Sequence, residues 1–319
     1  MLKLVFMGSA ELACGSLAAL AESGQYEIMG VVTQPDRPRG RKLKLQPSPV
    51  KELALRLNLP ILQPERARAP EFLEQLAELT PDLIVVAAYG QILPAAILEL
   101  PRFGCLNLHT SLLPKYRGAS PIQAAIFNDD AETGVTIMKM DEGLDTGDIV
   151  AMKITAIAPE DDSQTLHDRL AKLGGESLLR VIPDYTEGRI VPRPQPEEGV
   201  SHVGKISKSD GLIDWTRPAR GIWCQVRAYT PWPGAFVRPG EGAARKILKF
   251  WKTEVDEDLS GRPGEILAAD KEGVVVACGK GALRILTLQP EGGRRMTASE
   301  FLTGHRLNVG ELISQKSTK

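Results

Sequence analysis

The chain opens on Leu2 to Met7, an apolar run broken only by Lys3, which reads as a strand buried on both faces. After Gly8-Ser-Ala, apolar positions that include Leu12, Leu17 and Leu20 predict a helix to about Glu22, and Tyr26 to Thr33 predicts a second strand. The alternation continues. A short helix is expected over Val50 to Leu57, a brief strand at Ile61-Leu62, and a helix from Ala69 to Leu79 around Pro70. LIVVAA from Leu83 is apolar on both faces and runs into Tyr89-Gly-Gln-Ile-Leu-Pro94, a loop at the carboxyl end of a parallel strand. Pro94 opens a helix to about Leu100, and Cys105 to Leu108 is the next strand. The β-branched run Val135-Thr-Ile137 and the stretch Ile149 to Ile157 add two more strands. Ser163 then caps a long helix to Ile182, with Leu166, Leu170 and Leu173 in its apolar stripe. Strands alternating with helices in this way predict an α/β domain built on a doubly wound, mostly parallel, Rossmann-like sheet.

The pattern then changes. Ile190-Val-Pro-Arg-Pro-Gln-Pro-Glu-Glu-Gly199 alternates prolines with polar residues and predicts a semi-rigid extended linker. Beyond it, apart from helices near Ala219–Ala228 and Ser299–Leu302, the chain is short strands: AFV, ILKFWK, GEILAAD, GVVVACG and ALRILTLQ. Strands of that length between turn residues predict a small OB-like β-barrel. The expected division is 1–189 for the first domain, 190–204 for the linker and 205–319 for the second. A length of 319 residues accommodates two such domains.

Composition narrows the class. The chain is 43% apolar and 25% charged with a net charge of −1, so any nucleic-acid surface has to come from local clustering. Such clustering exists twice. Gln34 to Pro49 carries Arg37, Arg39, Arg41, Lys42 and Lys44 against Asp36 alone, with prolines at both ends. It is expected to be a mobile loop suited to phosphates. Ser201 to Lys252 holds ten basic residues, Lys205, Lys208, Arg245, Lys246 and Lys249 among them, against three acids. All four tryptophans, Trp215, Trp223, Trp232 and Trp251, fall in this second half; core packing is expected for most of them. The cysteines, Cys14, Cys105, Cys224 and Cys278, are far apart, fit no metal spacing and read as buried small hydrophobes of a reducing compartment. With no signal-like N-terminus and no run of ~18 apolar residues, a cytoplasmic protein without a membrane span is expected.

The candidate chemistry lies between Gly104 and Asp148. Asn107 and His109 sit two residues apart at the end of a strand and so share one face. Asp145 follows in the loop Asp141-Glu-Gly-Leu-Asp-Thr-Gly-Asp148. One amide, one imidazole and one carboxylate suit acid–base chemistry with oxyanion stabilisation. No metal is expected, because the acidic loop lacks accompanying His or Cys and fails calcium-loop spacing. The β–α–β start does not predict a dinucleotide site: Gly8-Ser-Ala-Glu-Leu-Ala is not G-x-G-x-x-G.

Asn107-Leu-His109-Thr-Ser-Leu-Leu-Pro114, then Tyr116-Arg-Gly118 and Asp145-Thr-Gly-Asp148, resemble the formyltransferase family that uses 10-formyltetrahydrofolate. The resemblance implies catalytic roles for Asn107, His109 and Asp145. It also implies a folate pocket along Gln91, Ile92 and Leu93, along Ser111, Leu112, Leu113 and Pro114, and along Asp141, Gly143 and Leu144. TQPDRPRGRK, AYGQILP, AYTPWPGAF and LTLQP extend it over about 300 residues, to the branch of the family that acts on charged initiator tRNA. A monomer binding that tRNA through the two basic segments is the expectation. Two alternatives stand beside it: formylation of a small amine such as an amino sugar, and nucleic-acid binding with an inactive formyltransferase domain.

Overall fold

The structure, a computed structural model, describes residues 1–39, 44–238 and 246–313. The chain forms two compact units that are not contiguous in sequence. The first comprises 1–121, 132–156 and 167–203; the second comprises 122–131, 157–166 and 204–319.

The first unit is built on a seven-stranded sheet. Its strands are β1 (Leu2–Gly8), β2 (Tyr26–Val32), β5 (Ile61–Leu62), β6 (Leu83–Ala87), β7 (Cys105–His109), β9 (Glu132–Lys139) and β10 (Asp148–Ala156). Their spatial order is β10-β9-β7-β6-β1-β2-β5. The five from β7 to β5 are parallel, as the uniformly apolar runs require: every residue of β6 is buried. The Rossmann-like expectation holds, with an antiparallel edge: β9 runs against β7, and β10 against β9. The helices are α1 (Leu12–Glu22), α2 (Pro49–Arg56), α3 (Pro70–Glu78), α4 (Ala95–Leu98) and the first-unit part of α6 (Ser163–Thr186). Between α1 and α6 the backbones meet through small residues. A Cβ at Gly15 would come within 2.6 Å of the Ala171 carbonyl oxygen, and one at Gly175 within 2.7 Å of that of Gly15.

Three segments differ from expectation. The basic stretch is an antiparallel hairpin, β3 (Arg37–Arg39) with β4 (Lys44–Gln46), rather than a loop without secondary structure. Its base is fixed. Lys51 Nζ donates to both Asp36 carboxylate oxygens at 2.8 and 2.9 Å, and Gln63 Nε2 donates to Asp36 Oδ1. Those bonds, Lys51's first, hold the Asp36 carboxyl below its usual range. The second difference is α5 (Pro121–Phe127), which the pattern did not announce.

The third is the proline-rich stretch, which is not a free spacer. Ile149 and Arg193 exchange backbone hydrogen bonds of 2.7 and 2.9 Å, and β11 (His202–Val203) pairs in parallel with β8 (Arg117–Gly118). Alternating prolines keep this segment extended, and the residues between them still carry the N–H and C=O groups that make these contacts.

The second unit folds an antiparallel sheet around one core. Its strands are β12 (Ala235–Val237), β13 (Leu248–Asp256), β14 (Ile266–Asp270), β15 (Gly273–Ala277), β16 (Ala282–Pro290) and β17 (Met296–Thr297). They are ordered β12-β13-β16-β15-β14, with β17 beside β16. Helices α7 (Ala219–Ala228) and α8 (Ala298–Gly304) complete it: Ile222, Val226 and Phe301 join Phe250, Val276, Leu283 and Ile285 in the core. Each outer edge carries a local contact: Leu212 bridges to Phe236 on β12, and Ile266, the first residue of β14, bonds to Gly310 and Glu311. Trp215 is a core residue, as expected of most tryptophans, but Trp232 is 53% exposed.

Candidate active site

Strand β7 sets the site. Its even residues, Leu106 and Leu108, face α6, where Gly174 leaves the room that Leu108 occupies. Its odd residues, Cys105, Asn107 and His109, point to the other face. Cys105 belongs to an apolar cluster with Val86, Tyr89, Leu93 and Ile97. Burial pushes its thiol up to about 12, so it stays protonated and is not a nucleophile. A cavity of about 160 Å³ lined by Val135, Ile137, Leu173 and Arg180 lies on the α6 face, away from Asn107 and His109.

His109 is almost fully enclosed and its two ring nitrogens have different neighbours. Nε2 lies 2.9 Å from the Tyr116 carbonyl oxygen; Nδ1 lies 3.7 Å from Asp145 Oδ2. The same Asp145 oxygen accepts the Gly118 backbone N–H at 2.8 Å. Asn107, 9% exposed, has no side-chain hydrogen bond to another of the described residues. Its amide is therefore available to a ligand.

The structure thus brings Asn107, His109 and Asp145 onto one face, but by a route the sequence did not suggest. Because β9 is antiparallel to β7, its last residue, Lys139, stands opposite Leu106 rather than His109. The loop between β9 and β10 leaves from the wrong end, roughly 10 Å short at the strand rise per residue. It folds back to bring Asp145 to His109. Within it, Asp141 Oδ1 accepts Gly143 N–H and Thr146 Oγ1–H, a local turn that shapes the return. Asp145 itself has φ +55°, the left-handed region. That conformation costs a non-glycine residue about 1–2 kcal/mol, and the carboxylate's hydrogen bond offsets it.

The residues expected to form a folate pocket divide into two groups. Ile92 is 81% and Leu144 60% exposed, apolar side chains presented outward by the loops after β6 and β9. Leu93 and Leu113 are buried, so their side chains are not presented to a ligand. Gln91 Oε1 accepts Ala67 N–H, Ser111 Oγ donates to the Lys115 carbonyl, and Leu113 N–H bonds Thr136 Oγ1. Pro114 is buried and Leu112 half-buried, while Asp141 and Gly143 are exposed. Met140 packs on the cluster that holds Tyr89 and Leu93, which ties the two loops together. Outward apolar side chains together with a buried amide that has no described partner are the kinds of group that hold a flat ligand with polar edges.

At the turn after β1, Ser9 and Ala10 give their N–H groups to the Ala88 carbonyl at 3.2 and 3.3 Å. Those amides are not free to cradle a phosphate.

Among the expected tRNA contacts, Lys205, Lys208 and Lys246 are exposed. Lys249 gives its ammonium to the Pro233 carbonyl, and Arg37 pairs with Glu65 at 2.9 Å. Arg39 ends β3 and pairs with Lys44, the first residue of β4; Arg41, Lys42 and Arg245 lie outside the described residues. Two residues that sequence reasoning missed, Gln195 and Ser201, bond directly to this site. Gln195 Nε2 donates to the Asp145 carbonyl, and Ser201 Oγ accepts Tyr116 N–H, both at 2.8 Å. Nothing in a proline-rich stretch signals such contacts.

Residues 2–182 match the family model described as formyl transferase, and residues 205–306 that of the formyl transferase C-terminal domain. Curated relatives include the methionyl-tRNA formyltransferase of Myxococcus xanthus, 50% identical over 97% of this chain and 96% of that one. That of Caldanaerobacter subterraneus is 48% identical over 98% and 100%. Among solved structures, the N-formyltransferase of Helicobacter canadensis with folinic acid and dTDP-3-aminofucose gives a TM-score of 0.66 at 19% identity, covering 89% of this chain and 99% of that one. HypX from Aquifex aeolicus with tetrahydrofolic acid gives 0.62, also at 19%, covering 97% and 48%. At that identity the likeness is one of fold.

Proposed function

The chain belongs to the formyltransferase family, and on that premise we propose that it moves the formyl group of 10-formyltetrahydrofolate onto the α-amino group of methionyl-initiator tRNA. The product is the formylated tRNA used to begin translation. The observation that carries the chemical part is the site itself: an unpartnered Asn107 amide two residues from an imidazole whose Nδ1 lies 3.7 Å from a carboxylate. The tRNA as acceptor rests on relatives that share about half their residues over nearly the whole chain and carry that name.

Bound folate would supply an activated formyl carbon, held by the loops that carry Ile92 and Leu144. The remaining work falls to the chain. Asn107 donates an N–H to the formyl oxygen as it gathers negative charge, a contribution on the order of 10²–10³ in rate. Asp145 takes the proton that the attacking amine must lose, worth on the order of 10²–10⁴. As the new carbon–nitrogen bond forms, the bond from the formyl carbon to the folate nitrogen breaks, and tetrahydrofolate leaves with a proton on that nitrogen. His109, held through Nε2 by the Tyr116 carbonyl, keeps its other nitrogen toward Asp145. The hairpin and the basic start of the second unit neutralise tRNA phosphates, a sequence-independent contribution. Residues 1–189 carry the chemistry and 205–319 the nucleic acid, in a cytoplasmic monomer.

The test is labelled formyl transfer to charged initiator tRNA set against small amines, amino sugars included. Transfer to the tRNA at least a hundredfold faster in kcat/KM is expected, roughly the discrimination one lost set of contacts gives. Preference for a small amine, or no transfer with an intact fold, would overturn the reading.

A further inference from the structure

The segment that follows the first unit's last helix is more than a connection. Gln195 uses its whole amide. Its Oε1 accepts Arg117 Nε–H at 3.1 Å and Nη2–H at 2.7 Å; its Nε2 donates to the Asp145 and Gly147 carbonyls, both at 2.8 Å. One side chain thus fastens both ends of the turn that holds Asp145 to the residue beside Gly118, whose N–H holds the Asp145 carboxylate. Six residues later, Ser201 does the same for the imidazole. Its Oγ accepts the Tyr116 N–H at 2.8 Å and its carbonyl accepts that of Arg117 at 2.8 Å, while the Tyr116 carbonyl holds His109 Nε2.

Both residues so fastened, Tyr116 (φ +61°) and Asp145 (φ +55°), have left-handed backbones. Outside partners are needed to keep non-glycine residues there.

We propose that Gln195 and Ser201 are positioning residues of the formyl-transfer site: Gln195 sets the Asp145 carboxylate and Ser201 sets the His109 ring. This deepens the reading given above and rests on it for its kinetic consequence. The residue type matters at position 195. A glutamate there has nearly the same shape and pairs with Arg117, yet puts an acceptor where two carbonyls need donors. A role of mere space-filling would tolerate it.

The experiment uses the full-length enzyme with Gln195→Glu, Gln195→Met and Ser201→Ala. The kinetic readout is formyl transfer to charged initiator tRNA, resolved into kcat and KM for the folate. Expected for both Gln195 variants is a fall in kcat of roughly 10–100-fold, the scale for a reacting group displaced by about an ångström. KM should stay within about twofold, because Gln195 and Ser201 bond the Arg117 side chain and the backbones of Pro114, Tyr116, Arg117, Asp145 and Gly147, not the outward side chains of Ile92 and Leu144. Ser201→Ala should give the same split. A second readout needs no activity: residue-resolved hydrogen exchange at the Gly118 amide, whose partner is the Asp145 carboxylate. It should exchange about tenfold faster in Gln195→Met while the amides of β6 keep their protection.

Wild-type kcat in Gln195→Glu, or unchanged Gly118 exchange in Gln195→Met, overturns the proposal. Should the wild-type protein fail to formylate tRNA while Gly118 exchange responds as described, the functional reading falls and the positioning assignment stands. Should Gln195→Met lose β6 protection as well, Gln195→Glu and Ser201→Ala decide through the kcat-against-KM split.

Discussion

Tyr116 and His109 are joined by a 2.9 Å contact from the backbone carbonyl to Nε2. A carbonyl can only accept, so Nε2 carries a proton, and Nδ1 is the nitrogen left facing Asp145. His109 therefore reaches its carboxylate through one defined nitrogen, and Asn107 is left as the member of the group with an uncommitted donor.

That arrangement predicts unequal effects of substitution. Asp145→Asn keeps the size of the side chain but removes the proton acceptor, and turnover should fall by about 10²–10⁴-fold. Asn107→Ala should raise the barrier by roughly 2.7–4 kcal/mol, the cost of one lost oxyanion donor. His109→Ala should also lower turnover by orders of magnitude. Single-turnover formyl transfer measures all three, with folate affinity followed in parallel. Asp145→Asn turning over like wild type would remove the carboxylate from the mechanism.

Gly118 tests the link between the site and the proline-rich segment that ends in β11. It has φ +111°, and a Cβ there would overlap the Val203 carbonyl oxygen across the β8–β11 pair. Gly118→Ala should destabilise the chain by about 1–3 kcal/mol, the cost of a residue forced into a sparsely populated backbone region. It should also slow catalysis, since the Gly118 N–H is the Asp145 anchor. Denaturant midpoints and kcat would be read on the same preparation; a stable variant with full activity would contradict the geometry.

Periodicity made the parallel core legible because both faces of β1 and β6 are buried and local sequence alone decides them. The strand Ile61-Leu62 and the helix Ala219–Ala228 lie where the pattern puts them. The Asn107–His109 face was legible for the same reason, as a consequence of strand alternation. What local pattern does not encode is direction and partner. Val135-Thr-Ile137 reads identically in a parallel or an antiparallel strand, so the folded-back path of Asp145 was hidden. Gln34 to Pro49 carries little apolar signal, yet its hairpin closes by backbone pairing from a base fixed at Asp36, Lys51 and Gln63. In 190–203 the prolines dominated the reading, and the contacts of Gln195 and Ser201 depend on residues about 50 to 85 positions away.

Substitutions in the basic stretch between Arg37 and Lys44 should separate nucleic-acid binding from folding. Arg41→Ala removes a charge from a segment holding five basic residues, with no effect on the Asp36–Lys51 base. KM for charged tRNA should rise while the melting temperature stays within about 1 °C, because surface charges contribute little to stability. The tRNA affinity of the wild type should fall with salt on a log–log line, and the variant's slope should be shallower by about one. Parallel lines would mean that Arg41 meets no phosphate.

The second unit should show a pH dependence traceable to one pair. Asp129 accepts hydrogen bonds from Arg220 Nε at 2.7 Å and Nη2 at 2.9 Å. The Arg220 hydrogen bond holds the Asp129 carboxyl below its ordinary value of about 3.8. A carboxyl whose folded pKa is depressed binds a proton more readily when unfolded. Its contribution is therefore complete above the unfolded value and is lost as pH falls through the folded one. The pair is more than a third exposed, which limits the contribution to roughly 0.2–1 kcal/mol. Asp129→Asn isolates it, because asparagine tolerates the φ of +58° at this position as well as aspartate does. Wild type should exceed the variant in stability at pH 7, and the gap should close as the pH is lowered past the ordinary carboxylate value and through the depressed folded one. Urea unfolding at the two pH values, followed by tryptophan fluorescence of this unit, measures the difference directly. An equal gap at both would assign the stability to shape rather than to charge.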